Sequence, residues 1–170
     1  MRALALTAIL AGCAPTWSEP LPPWQEPRNL VVCVDIPTAH LDAARSAIVK
    51  WDTALRGWRR VVMVESHPTP ECDKTIQVTE SWLPEDDAAA GWVPSVGGSE
   101  IFLVRGRYER DVEGVVLHEL GHAFGAQHVA GTLMHPTTSP RNLRCPDVVT
   151  VAQVAAFNRI DLETLGWCRP

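Results

Sequence analysis

One segment, from His118 to His128, constrains the fold of this chain more than any other. His118 and His122 are four residues apart, so a helix of 3.6 residues per turn places both side chains on one face. His128 could not approach that face if the helix continued straight on. Gly125 lies between them, and glycine readily takes the positive φ that ends a helix. The segment therefore predicts a helix, a sharp reversal and three imidazoles that converge on one point.

The residue types at these positions suit a metal ion. Three neutral imidazoles bind Zn²⁺ at about 2.0–2.1 Å and leave a fourth position for water, whose pKa zinc lowers to about 7. Glu119 is rotated by about 100° from His118 around the helix, so it would lie beside the ion without binding it. We therefore predict His118, His122 and His128 as zinc ligands, and Glu119 as the general base that deprotonates the zinc-bound water.

This pattern resembles that of the metzincin clan of zinc endopeptidases. Gly131-Thr132-Leu133-Met134-His135-Pro136 is similar to the Met-turn of that clan, which would make Met134 an apolar floor beneath the ligands. Leu133–Pro136 is most similar to the matrixin type, and the Met-His pair is also found in astacins. The resemblance covers about residues 111–136 and implies a zinc-dependent endopeptidase that cleaves polypeptides.

Two other functions remain open. The chain could be a protein that binds zinc without catalysis and serves as an interaction module, although Glu119 argues against a degenerate site. It could also be a zinc hydrolase of a cell-wall peptide or another non-protein amide, because the same chemistry would serve both reactions. Only trials with substrates separate this last alternative from a peptidase.

The N-terminal residues indicate export. Met1-Arg2 is followed by a run from Ala3 to Ala11 that is apolar except for Thr7 and too short for a membrane-spanning helix. Leu10-Ala11-Gly12-Cys13 resembles the lipobox of bacterial lipoproteins, which implies acylation of Cys13 and a place on the outer membrane or cell surface. An ordinary secretory signal is the alternative. We therefore predict a signal peptide over residues 1–12, a lipidated, proline-rich tether over 13–27 and a catalytic domain over 28–170.

Length, charge and cysteine count narrow the class further. The 170 residues, 46% of them apolar, suit one domain with one core, and we expect a monomer. The formal charge is −5 and no basic run occurs, which argues against nucleic acid as a partner. If Cys13 carries lipid, four cysteines remain, an even number in an exported chain. Three pairings are possible, of which we favour Cys33–Cys72 and Cys145–Cys168.

Hydrophobic patterning predicts an α/β (α+β) domain with a mixed, twisted sheet. We expect strands at Leu30–Ile36, Arg60–Glu65, Thr75–Glu80 and Glu100–Val104. Two long helices would be capped by Thr38 and Asp111, a C-terminal helix by Asp147, and residues 82–98 would form loops. The resemblance to metzincins implies that the zinc helix forms the cleft floor, with the Met-turn and the C-terminal helix below it. It also implies that the strand near Ile101–Val104 is antiparallel or at an edge, and that an edge strand beside the cleft binds the substrate backbone.

Overall fold

The computed structural model describes residues 29–65, 76–81, 89–95, 98–137 and 144–168. Within these ranges the strands are β1 (Asn29–Asp35), β2 (Arg60–Glu65), β3 (Ile76–Ser81), β4 (Ala90–Ser95) and β5 (Gly98–Val104). The α-helices are α1 (Thr38–Leu55), α2 (Val112–Ala123) and α3 (Val148–Asn158), with short 3-10 turns at Tyr108–Arg110 and Leu162–Thr164. The predicted signal peptide, the tether with Cys13, and Cys72 lie outside the described residues.

The strands form one mixed sheet in the order β2-β1-β3-β5-β4. β1 is parallel to β2 and β3, β3 is parallel to β5, and β4 is antiparallel to β5. Helix α1 connects β1 to the parallel strand β2, because parallel neighbours need a crossover connection. The inward side chains of the central strands are buried at Val32, Val34, Ile76, Val78, Ile101 and Leu103. The predicted class, an α/β domain with a mixed sheet, is confirmed.

The prediction that the strand near Ile101–Val104 is antiparallel or at an edge is confirmed in its first alternative. β5 is antiparallel to β4, but it is an internal strand that is also parallel to β3. The antiparallel strand at the end of the described sheet is β4, which lies in the segment predicted as loop. Gly91 and Pro94 concealed it, since both residue types are uncommon in strands. A Cβ on Gly91 would lie 2.3 Å from Cζ of Phe102, so the missing side chain makes room for a cross-strand ring.

Helix α1 fixes α2 to the core. Trp51 of α1 is fully buried, and its indole N–H donates to the carbonyl of Leu117 over 2.9 Å. The ring of Trp51 also meets the ring of Phe124 edge-on, with 4.9 Å between centroids. The helix that carries the first two histidines is therefore held by buried contacts. Among the described residues, no helix has both the length and the apolar composition needed to cross a bilayer.

The helix N-termini follow the predicted caps in two cases out of three. The Asp111 carboxylate accepts from the amide of Gly114 over 3.0 Å, and Asp147 caps α3 in the same way. The prediction that Thr38 caps α1 was wrong, because Thr38 is already the first helical residue. Pro37 occupies the cap position and provides no side-chain hydrogen bond. Proline has a fixed φ and no N–H, so it starts this helix through backbone geometry alone.

Candidate metal centre

The chain reverses at Gly125, as predicted. Gly125 has a φ of +100°, in a backbone region that residues with a Cβ rarely occupy. Its amide donates to the carbonyl of His122, and the amide of Ala126 donates to the carbonyl of Gly121, both over 2.9 Å. These bonds satisfy the last carbonyls of α2 and turn the chain back toward the helix. The reversal brings His128 to the face that carries His118 and His122.

The three imidazoles point their Nε2 atoms at one another. Nε2 of His128 lies 3.2 Å from Nε2 of His118 and 3.0 Å from Nε2 of His122. The ligand nitrogens of all three residues lie within 4.8 Å of one another. The described ranges contain no second group of three or more potential metal ligands. The structure therefore brings together the three residues that the sequence predicted as ligands.

Hydrogen bonds on the far side of two rings fix their tautomers. Nδ1 of His118 lies 3.0 Å from the carbonyl oxygen of Leu133, and Nδ1 of His122 lies 2.9 Å from that of Ala126. A carbonyl only accepts, so both Nδ1 atoms must carry a proton. In each neutral ring Nε2 then carries a lone pair. The Nε2 lone pairs of His118 and His122 both face the ring of His128. Metal-binding histidines typically donate from the second ring nitrogen to a carbonyl in this way.

The distances and charges fit a small divalent cation. Two nitrogens bound to a tetrahedral zinc at about 2.05 Å would lie about 3.3 Å apart, close to the observed spacings. Burial, with the charges of neighbouring histidines, lowers the pKa of His118 and of His122 from 6.5 to about 4. The pKa of the exposed His128 is also lowered, by partial burial and by the charge of His135. All three rings are therefore neutral at pH 7 and able to bind a metal.

Glu119 is an acid with no structural partner in the described part of the chain. Its residue is 7% exposed, and its carboxyl makes neither a hydrogen bond nor an ion pair with any described residue. Burial raises the pKa of Glu119 from 4.5 to about 8. A nearly buried, unpaired carboxyl is costly to a fold, and such groups cluster at functional sites. Its position one residue after His118 places it beside the histidine cluster.

Met134 lies beneath α2. The side chain is fully buried, and a Cβ on Gly121 would lie 2.4 Å from its Sδ. Met134 belongs to the turn Gly131–Pro136, in which Gly131 has a φ of +79°. The amide of Val129 donates to the Met134 carbonyl over 2.8 Å and ties this turn to the segment that carries His128. The turn therefore packs against the helix that carries His118 and His122.

Two residues beside the site were not predicted there. The ring of Trp92 on β4 is stacked near that of His122, with 6.4 Å between centroids and 20° between planes. No local pattern could show this, because β4 itself was hidden in the sequence. Asp147 was predicted only as a helix cap, yet its carboxylate also accepts from the amide of Leu133 over 2.9 Å. Leu133, whose carbonyl orients His118, is thus held at its amide by the N-cap residue of α3.

One of the two predicted disulfides is confirmed. Cys145 and Cys168 are bonded, with 6.0 Å between their Cα atoms. The bond joins the segment before α3 to the C-terminal residues, where the amide of Cys168 also donates to the carbonyl of Pro146. Cys33 is disulfide-bonded as well, and Cys72, its predicted partner, lies outside the described residues.

Comparison with known proteins adds a distant structural likeness. No protein-family model matches the chain, and no curated protein sequence does. The structure is similar to high choriolytic enzyme 1, a hatching-enzyme zinc protease from the medaka fish Oryzias latipes. The match has 19% sequence identity and a TM-score of 0.36, and covers 59% of this chain and 44% of that one. At this level a likeness assigns no function, so the assignment has to come from the histidine cluster itself.

Proposed function

We propose that this chain is a zinc-dependent endopeptidase of the metzincin type. The observation that carries the proposal is the convergence of three Nε2 atoms. Nε2 of His128 lies 3.2 Å from that of His118 and 3.0 Å from that of His122. Hydrogen bonds from Nδ1 fix the rings of His118 and His122 in the metal-binding tautomer. The three ligands are neutral, so a bound zinc would keep its double charge and an open position. Catalytic zinc sites have this composition, whereas structural sites are closed by a fourth protein ligand.

The chemistry divides between the ion and Glu119. A zinc ion held by His118, His122 and His128 would act as a Lewis acid that polarises the scissile carbonyl and makes the attacking water more acidic. The Glu119 carboxylate accepts a proton from that water as its oxygen bonds to the carbonyl carbon. It then returns the proton to the amine as the carbon–nitrogen bond breaks. The raised pKa of Glu119 belongs to the metal-free site, and the double charge of a bound zinc would favour the carboxylate that the first step needs.

The position of β4 supports a polypeptide substrate. β4 is the last strand of the described sheet, and its Trp92 lies beside His122, so the strand borders the histidine cluster. An extended peptide that pairs with an edge strand gains backbone hydrogen bonds without needing a particular side chain. We propose that β4 is the edge strand that binds the substrate backbone. A hydrolase of non-protein amides would not need such a strand, which favours the peptidase over that alternative.

Zinc content and cleavage, measured on the same protein, test the proposal. We expect about one zinc per chain, cleavage of unfolded polypeptides, and loss of cleavage with a chelator that zinc reverses. Glu119→Gln should retain zinc but lose about 10²–10⁴-fold in rate, because the amide cannot accept the proton. Glu163→Gln is the matched control, since Glu163 is exposed on the last 3-10 turn, and it should keep full activity. Full zinc occupancy without cleavage of a diverse peptide library would contradict the peptidase and favour a zinc-binding interaction module.

We further propose that the protein is exported and anchored through acylated Cys13, with the membrane as a partner. The lipobox-like Leu10-Ala11-Gly12-Cys13 supports this, as does the Cys145–Cys168 disulfide, because such bonds persist mainly in oxidising compartments. A proline-rich tether of residues 13–27 would then separate the lipid from the catalytic domain.

A further inference from the structure

The three predicted ligands are not held equally well. His118 is only 4% exposed, and both it and His122 donate from Nδ1 to a backbone carbonyl. His128 is exposed, and within the described part of the chain its Nδ1 has no hydrogen bond. Neither burial nor a partner behind the ring therefore orients His128. Its position depends on the backbone that carries it.

Hydrogen bonds hold that backbone on both sides of His128, and one of them joins the Ala126 carbonyl to Nδ1 of His122. The amide of Ala126 bonds to the carbonyl of Gly121, and the amide of Val129 bonds to the carbonyl of Met134. Between them, the amide of Gln127 donates to a side chain, Oε1 of Gln153, over 2.7 Å. Gln153 lies on α3, so the Ala126–Gln127 peptide, one residue before the third ligand, is attached to a different element of the fold.

Helix α3 makes this attachment rigid. Asp147 at its start accepts from the amide of Leu133, and Asn158 at its end donates to the carbonyl of Phe124 over 2.9 Å. The buried side chains of Val151 and Val154, on either side of Gln153 in the sequence, belong to the core. Gln153 is itself half-buried, which limits the rotamers available to it. A side chain fixed in this way can hold the loop at a point between the backbone bonds of Ala126 and Val129.

We propose that Gln153 is a positioning residue for the metal centre, which holds the Gln127 amide and thereby presents His128 to the ion. Without this hydrogen bond the loop would sample other conformations, and zinc binding would have to select the competent one. The proposal rests on the proposed function only in that the three histidines bind a metal. It concerns the affinity for zinc and not the cleavage reaction. Either proposal can therefore fail while the other stands.

The test is the zinc affinity of purified variants, measured by competition with a chelating dye. Outer-shell partners of metal ligands typically contribute 10–100-fold in affinity. Because Gln153 acts through one peptide, we expect Gln153→Ala to weaken zinc binding by about tenfold, at the low end of that range. Gln153→Glu keeps an acceptor at the same reach and should restore binding to within a few-fold of the wild type. Alanine also favours helix, so the substitution leaves α3 intact.

A double-mutant cycle separates positioning from general damage. If Gln153 acts through His128, then Gln153→Ala should have no further effect on the residual zinc affinity of His128→Ala. A merely structural role would weaken both backgrounds equally. Glu109→Ala is the matched control, because Glu109 accepts the amide of Gly106 over the same 2.7 Å but lies on a 3-10 turn before α2. Unchanged zinc affinity in Gln153→Ala, an equal loss in the His128→Ala background, or no rescue by glutamate would each overturn the proposal.

Discussion

Asp147 joins α3 to Leu133, the residue that orients His118, and its loss should lower the free energy of unfolding by more than the loss of an ordinary helix cap. Oδ1 accepts from the amides of Val149 and Thr150 over 2.9 and 3.1 Å. Oδ2 accepts from the amide of Leu133 over 2.9 Å and from the hydroxyl of Thr150 over 2.7 Å. Burial alone would raise the pKa of Asp147, but these hydrogen bonds lower it overall. The carboxylate is therefore both the cap of α3 and a support for Leu133, the residue whose carbonyl orients His118.

The expected cost of Asp147→Ala follows from these two roles. Loss of a helix N-cap costs about 1–2 kcal/mol. The Leu133 amide would in addition be left buried without an acceptor, which costs about 1–3 kcal/mol. We therefore expect the free energy of unfolding to fall by about 2–5 kcal/mol. Asp147→Asn should lose roughly half as much, because its amide oxygen can still cap α3 while its NH₂ group cannot accept from Leu133.

Urea unfolding of the metal-free protein, followed by tryptophan fluorescence, measures this loss. Asp161→Ala is the matched control, because Asp161 also precedes a helical turn but is exposed. Among the described residues, its carboxylate accepts only from the amide of Glu163, over 3.0 Å. Its loss should be clearly smaller. If Asp147→Ala were no more destabilising than Asp161→Ala, the reasoning about the buried Leu133 amide would be refuted.

Two further predictions concern pH and the N-terminus. Because burial lowers the pKa of His118 and His122 to about 4, the unfolded chain takes up protons first, and the metal-free protein should lose stability as pH falls from 6.5 toward 4. The free energy of unfolding should fall by up to about 3 kcal/mol for His118 and by less for the more exposed His122. Urea unfolding at pH 6.5 and at pH 4 measures this fall, and an unchanged midpoint would contradict it. Mass spectrometry of the exported protein should find an acylated Cys13 as its first residue, and an unmodified terminus elsewhere would exclude the anchor.

The features predicted correctly from the sequence are those that local geometry determines. Helical spacing puts His118 and His122 on one face, and the backbone freedom of Gly125 allows the reversal, so neither depends on a distant residue. The same holds for the cap at Asp147, whose bonds to Val149 and Thr150 lie within one turn. These predictions needed only the period of the helix and the preferences of single residues.

The features that were missed depend on partners far away in the sequence. β4 is stable as a strand because it pairs with β5, and Gly91 is acceptable there because the ring of Phe102 covers it. The second bond of Asp147, to Leu133, and the contact of Gln153 with Gln127 join segments that only the complete fold brings together. The strand at the end of the described sheet was missed in the segment predicted as loop, since pairing cannot be read from one strand alone.

The close approach of Gly121 to Met134 has a consequence for how this site can vary. A Cβ at position 121 would lie 2.4 Å from the methionine sulfur, so side chains at the two positions compete for the same space inside the protein. A larger residue at one position requires a smaller or more slender one at the other, so substitutions there will be tolerated as pairs and not singly. The packing beneath the helix that carries His118 and His122 thus depends on the absence of a side chain at position 121.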